Sequence, residues 1–282
     1  MNIDKLKLSE PAIEFLKSQG FTKLYPPQAD SVKSGLLDGK SILVSAPTAS
    51  GKTLIAMLAM LSYLSNNKGK VIYLSPLRAL AAEKFTEFKK LEKVALGNKV
   101  KVAISTGDFE NIEKNLEKSN VLILTNEKMD SIIRHGAEWV DEIGLVISDE
   151  VHLIGDENRG PTLEMILTQL KLLETKPQIV GLSATITNSD EIADWLECKL
   201  VKNDWRPVPL SEGVCDEGQV TMSDGKTFEV ERSLMGTPID LGVQSVHQGG
   251  QSLVFAETRT RSKSLATKAA DAIFQILEKK EI

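Results

Sequence analysis

The stretch Ala46-Pro47-Thr48-Ala49-Ser50-Gly51-Lys52-Thr53 constrains this chain more than any other. The apolar run Ile42-Leu43-Val44 stands before it, and Leu54-Ile55-Ala56-Met57-Leu58-Ala59-Met60-Leu61 follows it. It therefore reads as a loop between a buried strand and a helix, where a phosphate-binding loop must sit. Backbone N–H groups that open a helix, at the positive end of its dipole, can surround phosphate oxygens. In such a loop Lys52 would reach the β- and γ-phosphates of a nucleotide, and the Thr53 hydroxyl would hold Mg²⁺. Ala46 stands where a first glycine is usual, and alanine serves there only if its φ is negative. The plain alternative, a Gly-Lys-Thr tripeptide on a surface turn, fits the strand–loop–helix context poorly.

From Ser41 onward, short apolar runs alternate with helical patterns. Strands are expected at 41–45, 70–75, 100–105, 120–124, 143–148 and 178–183, with helices between them such as Leu77 to Leu96 and Pro161 to Leu173. A helix from Ser9 to Gly20, and another opening at Pro26 or Pro27, come first. This alternation predicts an α/β fold, a parallel sheet with helices on both faces. Ligands of such sheets bind at the carboxyl ends of the strands. The motifs of this chain sit just after strand candidates, so they are expected to converge in space.

With 282 residues, 41% hydrophobic and 26% charged, the chain has the make-up of a globular protein of one large or two ordinary domains. No apolar run reaches the length of a membrane span, and Met1-Asn2-Ile3-Asp4-Lys5 is not a signal peptide. Cys198 and Cys215 make neither a disulfide framework nor a metal cluster, so a cytoplasmic setting with reduced thiols is expected. The net charge of −5 argues by itself against a nucleic-acid partner. The charge is uneven, however. Residues 68–101 hold nine Lys or Arg against three Glu, and residues 141–157 hold six acids. A basic face beside an acidic, metal-ready edge suits a protein that binds both nucleic acid and Mg-nucleotide; two solvated faces would look the same.

Val146-Ile147-Ser148-Asp149-Glu150-Val151-His152 is the second strong signal. An apolar strand delivers two carboxylates beside the phosphate loop. Asp149 would bind Mg²⁺, and Glu150 would polarise the water that attacks the γ-phosphate. Gly181-Leu182-Ser183-Ala184-Thr185 ends another strand, and its hydroxyls could bond the loop of His152. Near Asn203 the character changes. Val208-Pro209-Leu210, Val214-Cys215 and Gln219 to Met222 read as strands, and Asp224-Gly225 as a hairpin turn leading into Thr227 to Val230. Pro238 to Gln248 reads as a helix, Ser252-Leu253-Val254-Phe255-Ala256 as a buried strand, and Ser262 to Glu281 as a helix. One strand and one helix are too little for a second α/β core. The expected organisation is N-terminal helices at 1–40, a nucleotide-binding domain at 41–203, a linker with a β-hairpin at 204–235, and the start of a second domain at 236–282, within a longer protein.

These residues resemble a family. Ala46 to Thr53, Asp149-Glu150-Val151-His152 and Ser183-Ala184-Thr185 resemble motifs I, II and III of superfamily-two helicases, and Phe21 to Gln28 their Q motif. Ser75 to Leu80, Thr106-Gly107-Asp108 and Thr125-Asn126-Glu127-Lys128 resemble motifs Ia, Ic and Ib, and Leu253 to Arg259 the start of motif IV. The Asp-Glu-x-His form and Asp204 to Leu210 are similar to the Ski2-like branch. Within it they look most like archaeal DNA helicases related to the helicase part of DNA polymerase theta.

The resemblance implies a RecA-like P-loop domain followed by the truncated start of a second one. It implies ATP and Mg²⁺ as cofactors, with Ala46, Pro47, Thr48, Ala49, Ser50, Gly51, Lys52 and Thr53 around the phosphates. Gln28 would read the adenine edge, with Phe21 or Tyr25 near the base. His152, Ser183 and Thr185 would couple nucleotide state to grip, while Pro76, Arg78, Gly107, Thr125 and Lys128 would line single-stranded or forked DNA. A monomer moving 3′ to 5′ at stalled forks, in an archaeal cytoplasm at the nucleoid, is implied, with replication or repair proteins as possible partners. The family's arginine pair on the second domain has no match among the seven arginines. The fragment is thus expected to bind Mg-ATP weakly, hydrolyse it poorly and not unwind. An RNA helicase of the same branch and a non-catalytic nucleotide-gated clamp remain the alternatives.

Overall fold

A computed structural model describes residues 1–97, 99–107, 116–231 and 236–280. The chain divides into two compact units, Met1–Pro207 and Val208–Ile282.

The first unit is built on a seven-stranded sheet in the order β3-β4-β2-β5-β6-β1-β7. Its strands are β1 (Ile42–Ser45), β2 (Lys70–Ser75), β3 (Val102–Ser105), β4 (Val121–Thr125), β5 (Ile143–Ser148), β6 (Gln178–Ser183) and β7 (Lys199–Lys202). Every pairing between them is parallel. Such a sheet must be covered on both faces, which is why its central strands are unbroken apolar runs. Alternate residues serve the two faces. Ile42, Val44, Val71, Tyr73, Leu145, Ile147, Val180 and Leu182 belong to one core cluster. Leu43, Ile72, Leu74, Val146 and Ile179 belong to the other.

The first cluster is covered by α1 (Glu10–Ser18), α2 (Pro26–Lys33), α3 (Lys52–Asn66) and α4 (Arg78–Phe88). The second is covered by α5 (Asn126–Arg134), α6 (Gly160–Lys171) and α7 (Ser189–Leu196). The first unit thus forms the α/β fold that the alternation predicts, in agreement with the RecA-like domain that the resemblance implies. Helix α3 is buried at ten positions because it lies in the middle of its layer. Helix α4 stops at Phe88 and passes into a 3-10 turn at Lys89–Lys93, rather than running to Leu96. Strand β7 was not foreseen. Only Val201 of its four residues is buried, and lysines flank it, as suits a sheet edge. The opposite edge, β3, is occupied by side chains: Glu92 Oε1 accepts the Val102 N–H at 2.9 Å, and Lys89 Nζ donates to the Val102 carbonyl at 3.4 Å.

The basic run of residues 68–101 does not form one face. Lys70 is buried and donates to the Glu117 and Ser119 carbonyls. Lys68 and Lys101 lie at the amino ends of β2 and β3, while Arg78 lies beyond the carboxyl end of β2. Charge counted along the chain merged the two ends of the sheet.

The second unit holds an antiparallel sheet, β10-β9-β8, of β8 (Gly213–Asp216), β9 (Gln219–Met222) and β10 (Thr227–Glu229). The β8–β9 turn, Glu217-Gly218, has positive φ at both residues (46° and 88°), as a two-residue hairpin requires. Asp224-Gly225 turns β9 into β10. Helices α8 (Thr237–His247) and α9 (Arg259–Lys280) follow; Glu281 lies outside the described residues. Two expected strands are absent. Val208 to Leu210 is unpaired and exposed, since Pro209 has no N–H to donate to a ladder. Ser252 to Ala256 is neither strand nor buried, with Leu253 80% and Phe255 86% exposed.

Candidate functional site

The loop 46–51 leaves β1 and enters α3 at Lys52. The Ala46 N–H donates to the Ser183 carbonyl at 3.2 Å, which extends the β1–β6 ladder by one residue. The left-handed φ values of the loop fall on Ala49 (63°) and Gly51 (85°), and not on Ala46. Ala49 carries about 1 kcal/mol of strain in that conformation. Gly51 suits its left-handed φ, and a Cβ there would also meet Gln28 Nε2 at 2.1 Å and displace that amide from the loop. Gln28 is buried and held at both ends of its amide: Nε2 donates to the Gly51 carbonyl at 3.2 Å, and Oε1 accepts the Tyr25 N–H at 2.8 Å. Lys52 Nζ donates to the carbonyls of Ala46 (2.9 Å) and Pro47 (3.2 Å). Burial lowers its pKa, the charges of Glu150 and Asp149 oppose that, and Arg206 adds to it. Pro47, Thr48 and Ser50 complete the loop, with Ser50 buried and Thr48 exposed.

Strand β5 delivers the carboxylates. The Asp149 N–H donates to the Leu74 carbonyl at 3.0 Å, which fixes the residue at the sheet edge. Asp149 Oδ2 accepts the Tyr73 hydroxyl at 2.6 Å, and Oδ1 accepts the Glu150 N–H at 3.0 Å. Burial, then the nearby Asp149, raises the Tyr73 pKa well above the usual value, so the phenol stays a donor. Glu150 has φ of 49°, a left-handed conformation of the kind that collects at functional sites. His152 Nδ1 lies 3.4 Å from Glu150 Oε2 and accepts the Ala184 N–H at 3.4 Å. One nitrogen can serve only one of them at a time: without a hydrogen it accepts the amide N–H, and with one it donates to the carboxylate. Ser45 Oγ donates to the Ala184 carbonyl at 3.3 Å. Ser183 Oγ is buried with no partner among the described residues, and Thr185 is exposed.

The remaining candidates meet elsewhere on the same edge. Pro76, Arg78, Gly107, Thr125 and Lys128 all line one cleft of about 300 Å³, together with Leu77, Thr106 and Glu127. Thr125 caps α5 by accepting the Lys128 N–H at 3.4 Å. Asp108 lies outside the described residues. The strand order explains the placement. Strands β3, β4 and β2 are neighbours and carry the cleft; β5, β6 and β1 are neighbours and carry the phosphate loop with the two carboxylates. The motifs therefore share an edge but form two clusters, not the single convergence expected.

Several residues at these sites went unmarked as candidates. Tyr73 alternates with apolar neighbours in a buried strand and gave no sign of its bond to Asp149. Trp205 stacks on Tyr25, with ring centroids 4.5 Å apart at 34°, and its backbone N–H donates to Asn203 Oδ1. Asn203 Nδ2 in turn donates to Asp30 Oδ2 on α2 at 3.0 Å. This brings Arg206 close enough to act on Lys52. Lys84, in the Lys/Glu pattern of a solvated helix, is only 12% exposed in its side chain and donates to Thr53 Oγ1 at 2.9 Å. Phe21 is half-buried against the core.

No helix of the described residues is long and apolar enough to cross a membrane. The solved helicase MrfA aligns with 96% of this chain and 42% of its own, at TM-score 0.72 and 21% identity, which speaks for the fold. The Mycobacterium smegmatis helicase Lhr, solved with ssDNA and AMP-PNP, aligns with 74% of this chain and 28% of its own, at TM-score 0.62 and 29% identity. The ATP-dependent DNA helicase Hel308 of Thermococcus kodakarensis is 42% identical over 281 residues, covering 100% of this chain and 24% of that protein. Hel308 of Pyrococcus horikoshii is 43% identical over 282 residues, covering 100% and 38%. The chain thus spans between about a quarter and two fifths of the length of these relatives. The family model for DEAD/DEAH box helicases matches residues 25–192, and with the motifs and sheet described above, the chain belongs to the DEAD/DEAH box helicase family.

Proposed function

We propose that this chain is the first motor domain of an ATP-dependent DNA helicase, moving 3′ to 5′ along single-stranded DNA at stalled or branched replication intermediates. The observation that carries this reading is the division of one sheet edge into a phosphate loop with two carboxylates and a separate polar cleft. Lys52 holds the β- and γ-phosphates. Gln28 keeps one N–H and one lone pair beyond its present bonds, enough to meet an adenine edge. Tyr25 and Trp205 offer the base an aromatic surface.

The Thr53 hydroxyl and the Asp149 carboxylate are hard oxygen donors of the kind Mg²⁺ takes, and an ammonium already rests on Thr53 Oγ1, so the surroundings accept a cation. When bound, the ion would neutralise charge on the phosphates. Glu150 orients the attacking water and takes its proton. His152, Ser183 and Thr185 pass the state of the phosphates to the cleft. There Pro76, Arg78, Gly107, Thr125 and Lys128 hold a DNA strand by its backbone rather than by its sequence. Alone, the 282-residue stretch binds Mg-ATP weakly, hydrolyses it slowly and does not unwind. In the whole protein it works as a monomer on the chromosome.

The test is ATP turnover with and without single-stranded DNA, for this chain and for a longer protein that contains it. DNA should stimulate the longer protein strongly and the chain hardly at all. Glu150→Gln should lower turnover by about 10²-fold or more while ATP stays bound. Unchanged turnover in Glu150→Gln would favour a nucleotide-gated clamp, and equal stimulation by RNA would move the assignment to an RNA helicase.

A further inference from the structure

Helix α4 begins at the polar cleft with Arg78 and carries Lys84 to the phosphate loop. Lys84 Nζ donates to Thr53 Oγ1 at 2.9 Å and is also 3.3 Å from Glu83 Oε1 and 3.4 Å from Glu87 Oε2. Its side chain is only 12% exposed, so the ammonium is enclosed rather than waving in solvent. Lysines in this setting usually reach water. This one has two alternative seats, the threonine hydroxyl and the pair of glutamates. Glu87 is close enough for its charge to act on Tyr73, which bonds Asp149.

We propose that Lys84 is a built-in competitor for the divalent cation: its ammonium holds the ground in front of Thr53 Oγ1 and moves back onto Glu83 and Glu87 when Mg-nucleotide enters. This rests on the nucleotide reading above. Two cations cannot share the hydroxyl oxygen without strong repulsion in a partly buried place. Any metal drawn to Thr53 must displace Lys84, and any nucleotide that arrives without metal finds a positive charge already there. Lys84 is a positioning residue in this account. It sets how strongly nucleotide binding depends on Mg²⁺, and it leaves affinity at saturating Mg²⁺ nearly unchanged.

The experiment is equilibrium binding of fluorescent mant-ATP to the 282-residue chain across a Mg²⁺ titration and in EDTA. Lys84→Met should lower the Mg²⁺ concentration for half-maximal binding by about 5- to 20-fold, in the range usual for coupled sites, and should weaken binding in EDTA several-fold. Lys84→Arg, which keeps the charge, should stay near wild type. Lys84→Gln keeps a donor without the charge; it should shift like the Met variant, and it carries the test if that variant does not fold. A Mg²⁺ midpoint within twofold of wild type in a folded neutral variant overturns the proposal. Absence of mant-ATP binding to the wild-type chain at every Mg²⁺ concentration overturns the nucleotide reading itself, and the proposal with it.

Discussion

Ile42-Leu43-Val44-Ser45 and Ser252-Leu253-Val254-Phe255-Ala256 are close to the same string in composition, and they end in opposite states. The first is a strand buried at all four positions, hydrogen-bonded between β6 and β7. The second is unpaired, and its Leu253 and Phe255 are largely exposed. An apolar run becomes a parallel strand only where neighbours pair its backbone and helices cover both faces. In the first unit those layers come from helices on both faces of the sheet. In the second, the described residues give a small antiparallel sheet whose strands are exposed at most positions.

Each unit contains one thiol, and these should show the largest difference. Burial pushes the Cys198 thiol up to about 12, and its Sγ lies against the Leu196 and Ile179 carbonyls. Cys215 lies on the partly exposed strand β8. Because the thiolate is the reacting form, alkylation at pH 8 should modify Cys215 first and Cys198 slower by roughly 10²–10³-fold. Comparable rates, read by peptide mass, would show that the first unit opens as freely as the second.

Leu43→Ala should destabilise the first unit by about 2–5 kcal/mol, the usual cost of a buried leucine. Trp139, Trp195 and Trp205 all lie within Met1–Pro207, so urea unfolding followed by tryptophan fluorescence reports that unit alone. Leu253→Ala, the same change in the exposed run, should leave that curve within about 0.5 kcal/mol. A loss as large as that of Leu43→Ala would break the comparison.

A smaller effect belongs to the β3 edge. Burial raises the Glu92 pKa, but the Lys89 hydrogen bond and the Val102 amide outweigh it, and the net direction is down. A depressed carboxyl stabilises the fold above its unfolded pKa and loses that contribution as pH falls through the folded one. The stability gap between wild type and Glu92→Gln should therefore be constant at neutral pH and close only below the ordinary glutamate range, about pH 4. A gap that closes near neutrality would show that the clamp on Val102 does not form.

Much of the first unit was legible because a two-faced parallel sheet needs continuous apolar strands, and six of them are written that way. Strand β7 was hidden because an edge strand tolerates Lys199 and Lys202 and buries only Val201. The phosphate loop and the Asp149-Glu150 pair were legible as spacing between residue types. The split of the edge into two clusters was not, since strand order is set by crossovers that leave no local trace. Lys84 was hidden for another reason: with Glu83 beside it and Glu87 one turn on, it reads as part of a solvated ion-pair face rather than as a side chain turned inward. Ser252 to Ala256 misled because its run is apolar while nothing described in its unit pairs with it.

The side chains on Val102 bear on how the molecule behaves in a crowd. An open sheet edge is a template on which a second chain can add a strand, and the step repeats into fibres. With the Val102 N–H taken by Glu92 and its carbonyl by Lys89, the first rung of that template is already filled by groups from the same molecule. A carboxylate and an ammonium at that rung also leave an incoming strand facing charge. The same pair of residues that pins one strand thus guards the sheet against growing beyond itself.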